Sequence, residues 1–145
     1  MFIATGFYSG YLPKAPGTWG SLVGLLLFFL LHGLALPVYL AVVLGVFVVG
    51  TFAAGEAEKI VDNSDPGLVV IDEIVGMLIT MAAVPATPLF MTLGFVLFRV
   101  FDIVKPFPVN FFDQRFPGGL GIMLDDVVAG LYSLVILHLV IFLLF

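Results

Sequence analysis

From residue 15 to residue 55 the chain carries no charged side chain. As helix, at about 1.5 Å per residue, that stretch would extend roughly 60 Å, two crossings of a ~30 Å hydrocarbon layer. The tract is divided by "HGLALP" (32–37), which predicts spans over roughly 18–35 and 37–54. A second uncharged tract, 74–98, is interrupted by the two prolines of "VPATP" (84–88). Proline removes a backbone donor and restricts the residue before it. The tract therefore reads as two short helices, 71–84 and 88–105, and a fifth span is expected at 125–144. Composition agrees: 62% of residues are hydrophobic and 10% charged, with mean hydropathy +1.26, against about 25% charge in a soluble domain. The expected fold class is an all-α polytopic membrane helix bundle. It forms one domain, 1–145, with about five membrane helices, two of them short.

Five crossings put Lys14, the stretch from Glu56 to Glu73, and the stretch from Arg99 to Asp126 on one side. The turns "GLALP" and "VPATP" on the other side carry no charge. All five lysines and arginines lie on the charged side, which the positive-inside rule makes cytoplasmic. A single span over 74–98 would instead separate Lys59 and Asp72 from Arg99 and Asp126. The amino-terminal "MFIATGFYSGYLPKAPG" has neither a charged n-region nor a cleavage site, so the first span is expected to be a permanent anchor.

Ten acids face five bases, a net charge of −5, which a divalent cation would offset. Mg²⁺ is typically held by one or two carboxylates, phosphate oxygens and retained waters. In "VVIDEIVGM" (69–77), Asp72 and Glu73 open a short helix. Capping and the helix dipole account well for one acid; the second points to metal binding or catalysis. "FRVFDIVKPFP" (98–108) spaces Arg99, Asp102 and Lys105 by three, on one arc of a helix. They read as an ion-pair ladder or as a phosphate site, Arg99 a fork and Lys105 a point charge. Charged residues within spans usually mark a functional site. "FPVNFFDQRFPGG" (107–119) looks interfacial, with Phe111, Phe112 and Phe116 at headgroup level; Asp113 and Arg115 read equally as solvated or as part of a site.

"GGLGIMLDDVVAGL" (118–131) reads as a glycine-rich loop, Gly118, Gly119 and Gly121, before a helix opened by Asp125 and Asp126. Such a loop can cradle phosphate. Only one of the two aspartates can cap the helix, and adjacent residues point about 100° apart, leaving the other to face a metal. In "LPKAPGTWGSL" (12–22), Thr18 and Ser21 are natural caps, while Lys14 or Thr18 alternatively contacts a headgroup and Trp19 suits the interface. Gly20 with Gly24, and Ala129 with Ser133, have the spacing of close helix contacts.

Elimination narrows the chemistry. The chain has no cysteine, hence no thiol nucleophile, disulfide or thiolate metal site. His32 and His138 lie in apolar tracts away from the charged side, and neither is expected to be catalytic. A "DxD" phosphatase loop is absent. What is left is carboxylates, a few bases and Mg²⁺, a set suited to polarising a phosphoryl oxygen and activating water. No nucleic-acid partner is expected.

"PGTWGSL", "IDEIVGM", "FRVFDIVKPFPVNFFD" and "GGLGIMLDDVVAGL", in that order from residue 5 to 133, resemble the phosphatidylglycerophosphatase A family. The resemblance implies a Mg²⁺-dependent integral enzyme of the bacterial inner membrane. It would hydrolyse the terminal phosphate of phosphatidylglycerophosphate at the cytoplasmic leaflet. Carried over by motif, the site is Asp72, Glu73, Arg99, Asp102, Lys105, Asp125 and Asp126, with Lys14, Thr18 and Asp113 as weaker members. Expected roles are Glu73, Asp125 and Asp126 on Mg²⁺, Asp72 as ligand or general base, and Arg99 and Lys105 on the terminal phosphate. Two alternatives fit less well. A CDP-alcohol phosphotransferase would show D-x2-D-G-x2-A-R, which "LDDVVAGL" does not match. A small channel or transporter would line its path with polar groups, and the uncharged side supplies almost none.

Overall fold

The computed structural model describes residues 3–6, 16–61, 69–104 and 118–144. The described residues are helical, with no strand among them: α1 (Pro16–Leu31), α2 (Leu36–Val61), α3 (Ile71–Thr80), α4 (Pro88–Val104) and α5 (Gly118–Leu144). The break expected between 74 and 98 is present. It comes earlier than 84, because Ala83 takes a left-handed backbone with φ 58 and the chain tightens ahead of Pro85, with Ala82 and Val84 donating to Ile79 and Met81. α2 and α5 contain stretches, Leu36–Ala57 and Met123–Leu144, long and apolar enough to cross a membrane. At 10 residues, α3 is about 15 Å long, half a hydrocarbon layer.

The start of α5 corrects the sequence-based expectation. Gly118, Gly119 and Gly121 are not a loop before the helix but its first turns. Glycine costs about 1 kcal/mol per helical position relative to alanine. Here packing offsets it, since Gly121, Met123, Asp125 and Asp126 are already buried. Asp125 and Asp126 therefore stand two turns inside α5, and neither caps it. Thr18 and Ser21 likewise lie within α1, where the Ser21 hydroxyl donates to the Gly17 carbonyl one turn back at 2.8 Å.

α3 packs against each of the other four helices, most extensively against α5 and then α1. Eight of its ten residues are buried, so this helix forms the centre of the bundle. Small residues set how closely its neighbours approach. A Cβ at Gly130 of α5 would stand 2.7 Å from the Gly76 carbonyl oxygen, and one at Gly76 would stand 3.0 Å from the Asp126 carbonyl oxygen and 2.3 Å from the Phe98 ring. The backbones of α3 and α5 are thus in direct contact. On the α1 side, a Cβ at Gly20 would come within 2.6 Å of Val70 and one at Gly24 within 2.8 Å of Met77, the close packing that their spacing suggests. Ala129 and Ser133 are fully buried.

Both uncharged turns come together at one end. Phe28, His32, Tyr39, Ala83 and Val84 line a common cavity of about 70 Å³. His138 Nε2 hydrogen-bonds the Ala82 carbonyl there at 2.8 Å, and Tyr39 donates to the Leu78 carbonyl at 2.5 Å. Both histidines thus serve the end away from the acids, as expected. The described charged residues gather at the opposite end. Gly50 of α2 meets Ile71 and Met123, and the exposed Lys59–Glu56 pair (3.3 Å) lies beyond that level.

The backbone contact predicts the outcome of one substitution. Gly130→Ala should destabilise the protein by about 1–3 kcal/mol through overpacking, measured by thermal unfolding in detergent. Gly33→Ala, where an added Cβ meets nothing within 4 Å, should leave the midpoint essentially unchanged.

Candidate active site

The residue before α3, Val70, makes no side-chain cap. Its amide and that of Ile71 donate instead to the Ala4 carbonyl, at 2.8 and 3.0 Å. The amino-terminal turn therefore takes over the capping that the sequence suggested for one of Asp72 and Glu73, and both acids point into the protein. Asp72 is 6% exposed and Asp126 1%.

Asp72 stands one turn before Gly76, and Asp126 one turn before Gly130. With α3 and α5 in backbone contact at the glycines, that shared spacing sets the two carboxylates side by side. Glu73 joins them: one carboxylate oxygen each from Asp72, Glu73 and Asp126 lie within 4.8 Å of one another. Asp72 Oδ1, Glu73 Oε2 and both carboxylate oxygens of Asp126 are buried with no hydrogen-bond partner among the described residues. A buried unsatisfied polar group costs roughly 1–3 kcal/mol, and more when charged. Three carboxylates converging in this way repel one another unless a cation or protons intervene. Three carboxylate oxygens this close are hard ligands of the kind a divalent cation takes, and the residues present could hold a metal ion.

Asp102, close to these acids, faces a base. Arg99 Nη1 of α4 donates to Asp102 Oδ2 at 2.5 Å, with both side chains largely buried, and Asp102 in turn lies close to Asp126. The guanidinium is seated against the first turn of α1. A Cβ at Gly17 would stand 2.9 Å from Arg99 Nη1 and 3.2 Å from Glu73 Oε1. Thr18 follows in the same turn, half-buried. Asp125 is buried too, but its Oδ1 accepts the Asp126 backbone N–H at 2.9 Å, and it is not one of the three converging carboxylates. Lys14, Lys105, Asp113 and Arg115 lie outside the described residues.

Three contributors were not anticipated from the sequence: the Ala4 carbonyl, Gly17, and the Gly76–Gly130 contact. A signal for the last was present, since both "DEIVG" and "DVVAG" place a glycine four residues after an aspartate.

Two helices of membrane-spanning length, three converging carboxylates and an adjoining arginine make a donor set that could hold a metal ion beside an anionic group. Similarity to known proteins specifies the family. The family model described as "Phosphatidylglycerophosphatase A" matches residues 2–141. Haemophilus influenzae phosphatidylglycerophosphatase A is 40% identical over 136 residues, 92% of this chain and 83% of that protein. The Escherichia coli protein of the same name is 39% identical over 139 residues, 95% of this chain and 81% of its own length. A Bacteroides thetaiotaomicron protein provisionally named phosphatidylinositol-3-phosphatase is 41% identical over 145 residues, 94% of this chain and 90% of its own length. No solved structure matches the chain. The chain belongs to the phosphatidylglycerophosphatase A family.

The crowded carboxylates give an outcome that does not depend on turnover. Mg²⁺ should raise the thermal midpoint of the wild-type protein, because a ligand of the folded state stabilises it. Asp126→Asn should raise the midpoint in EDTA by about 2–8 °C by relieving charge repulsion and should lose most of the Mg²⁺-dependent increase.

Proposed function

We propose that the chain is a Mg²⁺-dependent phosphatidylglycerophosphate phosphatase. It would release the terminal phosphate to give phosphatidylglycerol, from the cytoplasmic face of a bacterial inner membrane. The observation that carries this reading is the convergence of Asp72, Glu73 and Asp126 in a member of this family. The topology supports the orientation: the described Lys and Arg side chains sit with the acids at one end, the arrangement expected of a cytoplasmic face.

With Asp72 kept beside them as general base, Glu73 and Asp126 would hold the cation. When bound, it supplies Lewis-acid stabilisation of the phosphoryl oxygens and a water of lowered pKa. Arg99 binds the terminal phosphate, its guanidinium oriented by Asp102 and by the wall that Gly17 leaves low. A fork of donors aimed where charge builds up in the transition state needs no rearrangement as the reaction proceeds. Lys105, Lys14 and Thr18 are proposed as further phosphate contacts. Asp72, with a carboxylate oxygen within 4.8 Å of the other two acids, takes the proton of the attacking water. That water forms the new P–O bond as the bond to the glycerol oxygen breaks, and Asp72 passes the proton it has taken on to the leaving oxygen. Asp125 acts on Asp126, holding its backbone N–H and thereby the start of that side chain, and is proposed as a positioning residue.

Phosphate release from phosphatidylglycerophosphate in detergent is the direct test. EDTA should abolish it and Mg²⁺ restore it. Asp72→Ala and Asp126→Ala should each lower kcat at least about a hundredfold, and wild-type rates in both would sink the assignment. Faster turnover of phosphatidylinositol 3-phosphate, the substrate in the Bacteroides relative's name, would move the substrate to that lipid.

A further inference from the structure

α1 and α2 are joined by a short turn yet meet only weakly along their lengths. Between them lies an apolar crevice of about 340 Å³ with Leu27 on one wall, Val42, Gly45 and Val46 on the other, and Ile71 and Ile74 of α3 as its floor. At ~30 Å³ per water-sized group, it accommodates roughly ten methylenes. Its floor belongs to the helix that carries the acids: Ile71 and Ile74 bracket Asp72 and Glu73 in the chain, and the Ile71 amide is held by the same Ala4 carbonyl that caps α3.

Gly45 is the telling residue. Gly20, Gly24, Gly50, Gly76, Gly94 and Gly130 each lie where an added Cβ would come within 3.0 Å of a neighbour, so close packing accounts for them. At Gly45 a Cβ would meet nothing within 4 Å. A mid-helix glycine costs about 1 kcal/mol relative to alanine, and nothing among the described residues packs against this one. What its missing side chain preserves is the width of the crevice.

We propose that this crevice is the subsite for one acyl chain of the substrate lipid, and that Gly45 determines how long and bulky a chain it admits. The proposal rests on the phosphatase reading for the headgroup. The chemistry of the crevice itself calls for a hydrocarbon chain: it is lined by aliphatic side chains, opens between two apolar helices, and leads down to the helix that carries the acids.

Two measurements test it. In the first, phosphatidylglycerophosphate with long (dioleoyl) and short (dibutanoyl) chains is hydrolysed by wild type and by Gly45→Phe. The long-to-short ratio of kcat/KM should fall about tenfold in the variant, the effect of displacing roughly two methylenes from apolar contact, with short-chain turnover retained. Val48→Phe, on the same helix at a lipid-facing position 45% exposed, should leave the ratio unchanged. An equal loss on both substrates, or none on either, overturns the proposal. If Gly45→Phe does not fold, Val42→Phe fills the same space. In the second, wild type and variant are photolabelled with phosphatidylglycerol carrying a mid-chain diazirine, and labelled residues are mapped by mass spectrometry. Label should concentrate on the crevice walls and drop at least about fivefold in the variant; uniform labelling of the outer face of α2 means bulk lipid and overturns the subsite. Should wild type release no phosphate from either lipid, the phosphatase reading fails, and labelling still decides whether the crevice binds a chain.

Discussion

The structure depends on one unfavourable proximity. Asp72, Glu73 and Asp126 bring carboxylate oxygens within 4.8 Å of one another in the interior of an apolar bundle, where like charges are poorly screened. Left to side-chain preferences, they would separate. The backbone prevents that: α3 and α5 touch at Gly76 and Gly130, and each aspartate projects from one turn before its glycine. Separating the acids would mean parting two helices at their tightest contact. A close-packed interior resists such a change, because every small shift forfeits contacts elsewhere.

The rest of the bundle supports that arrangement. The Ala4 carbonyl takes the amides at the start of α3, which leaves Asp72 and Glu73 out of capping. Gly17 keeps the first turn of α1 low enough for Arg99 to sit beside Glu73, and Asp102 holds the guanidinium from its own helix. At the far end, Tyr39 and His138 bond backbone carbonyls at the end of α3 and in the turn after it, pinning the central helix from below. The feature that makes the acid cluster unstable by itself also makes it receptive to a divalent cation. Electrostatic work of that kind is done in advance, by folding.

Much of this was legible in the residues. The uncharged tracts, the break at "VPATP", the helix number and the grouping of described charges at one end follow from hydropathy and proline placement, both local properties. The acids of the site were visible as well, since charges inside spans stand out against an apolar background. Less legible were their exact relations. Asp125 and Asp126 looked alike as neighbours in the chain, yet an Asp125 oxygen accepts the Asp126 backbone N–H while an Asp126 oxygen lies among the converging carboxylates. The glycines at 118–121 looked like a loop because glycine disfavours helix locally, and the burial of Gly121 and of Met123, Asp125 and Asp126 after it overrode that preference.

By itself, then, the sequence determined that this chain would form an all-α bundle of lipid-compatible helices with an acid-rich end, because composition and periodicity act over one helix at a time. It also marked the family, because the motifs are linear. Only the tertiary structure decided that α3 would be the buried centre and that Asp72, Glu73 and Asp126 would converge. It alone opened a crevice at Gly45. These depend on which helices touch and how closely, a property of pairs of surfaces far apart in the chain that no single segment encodes.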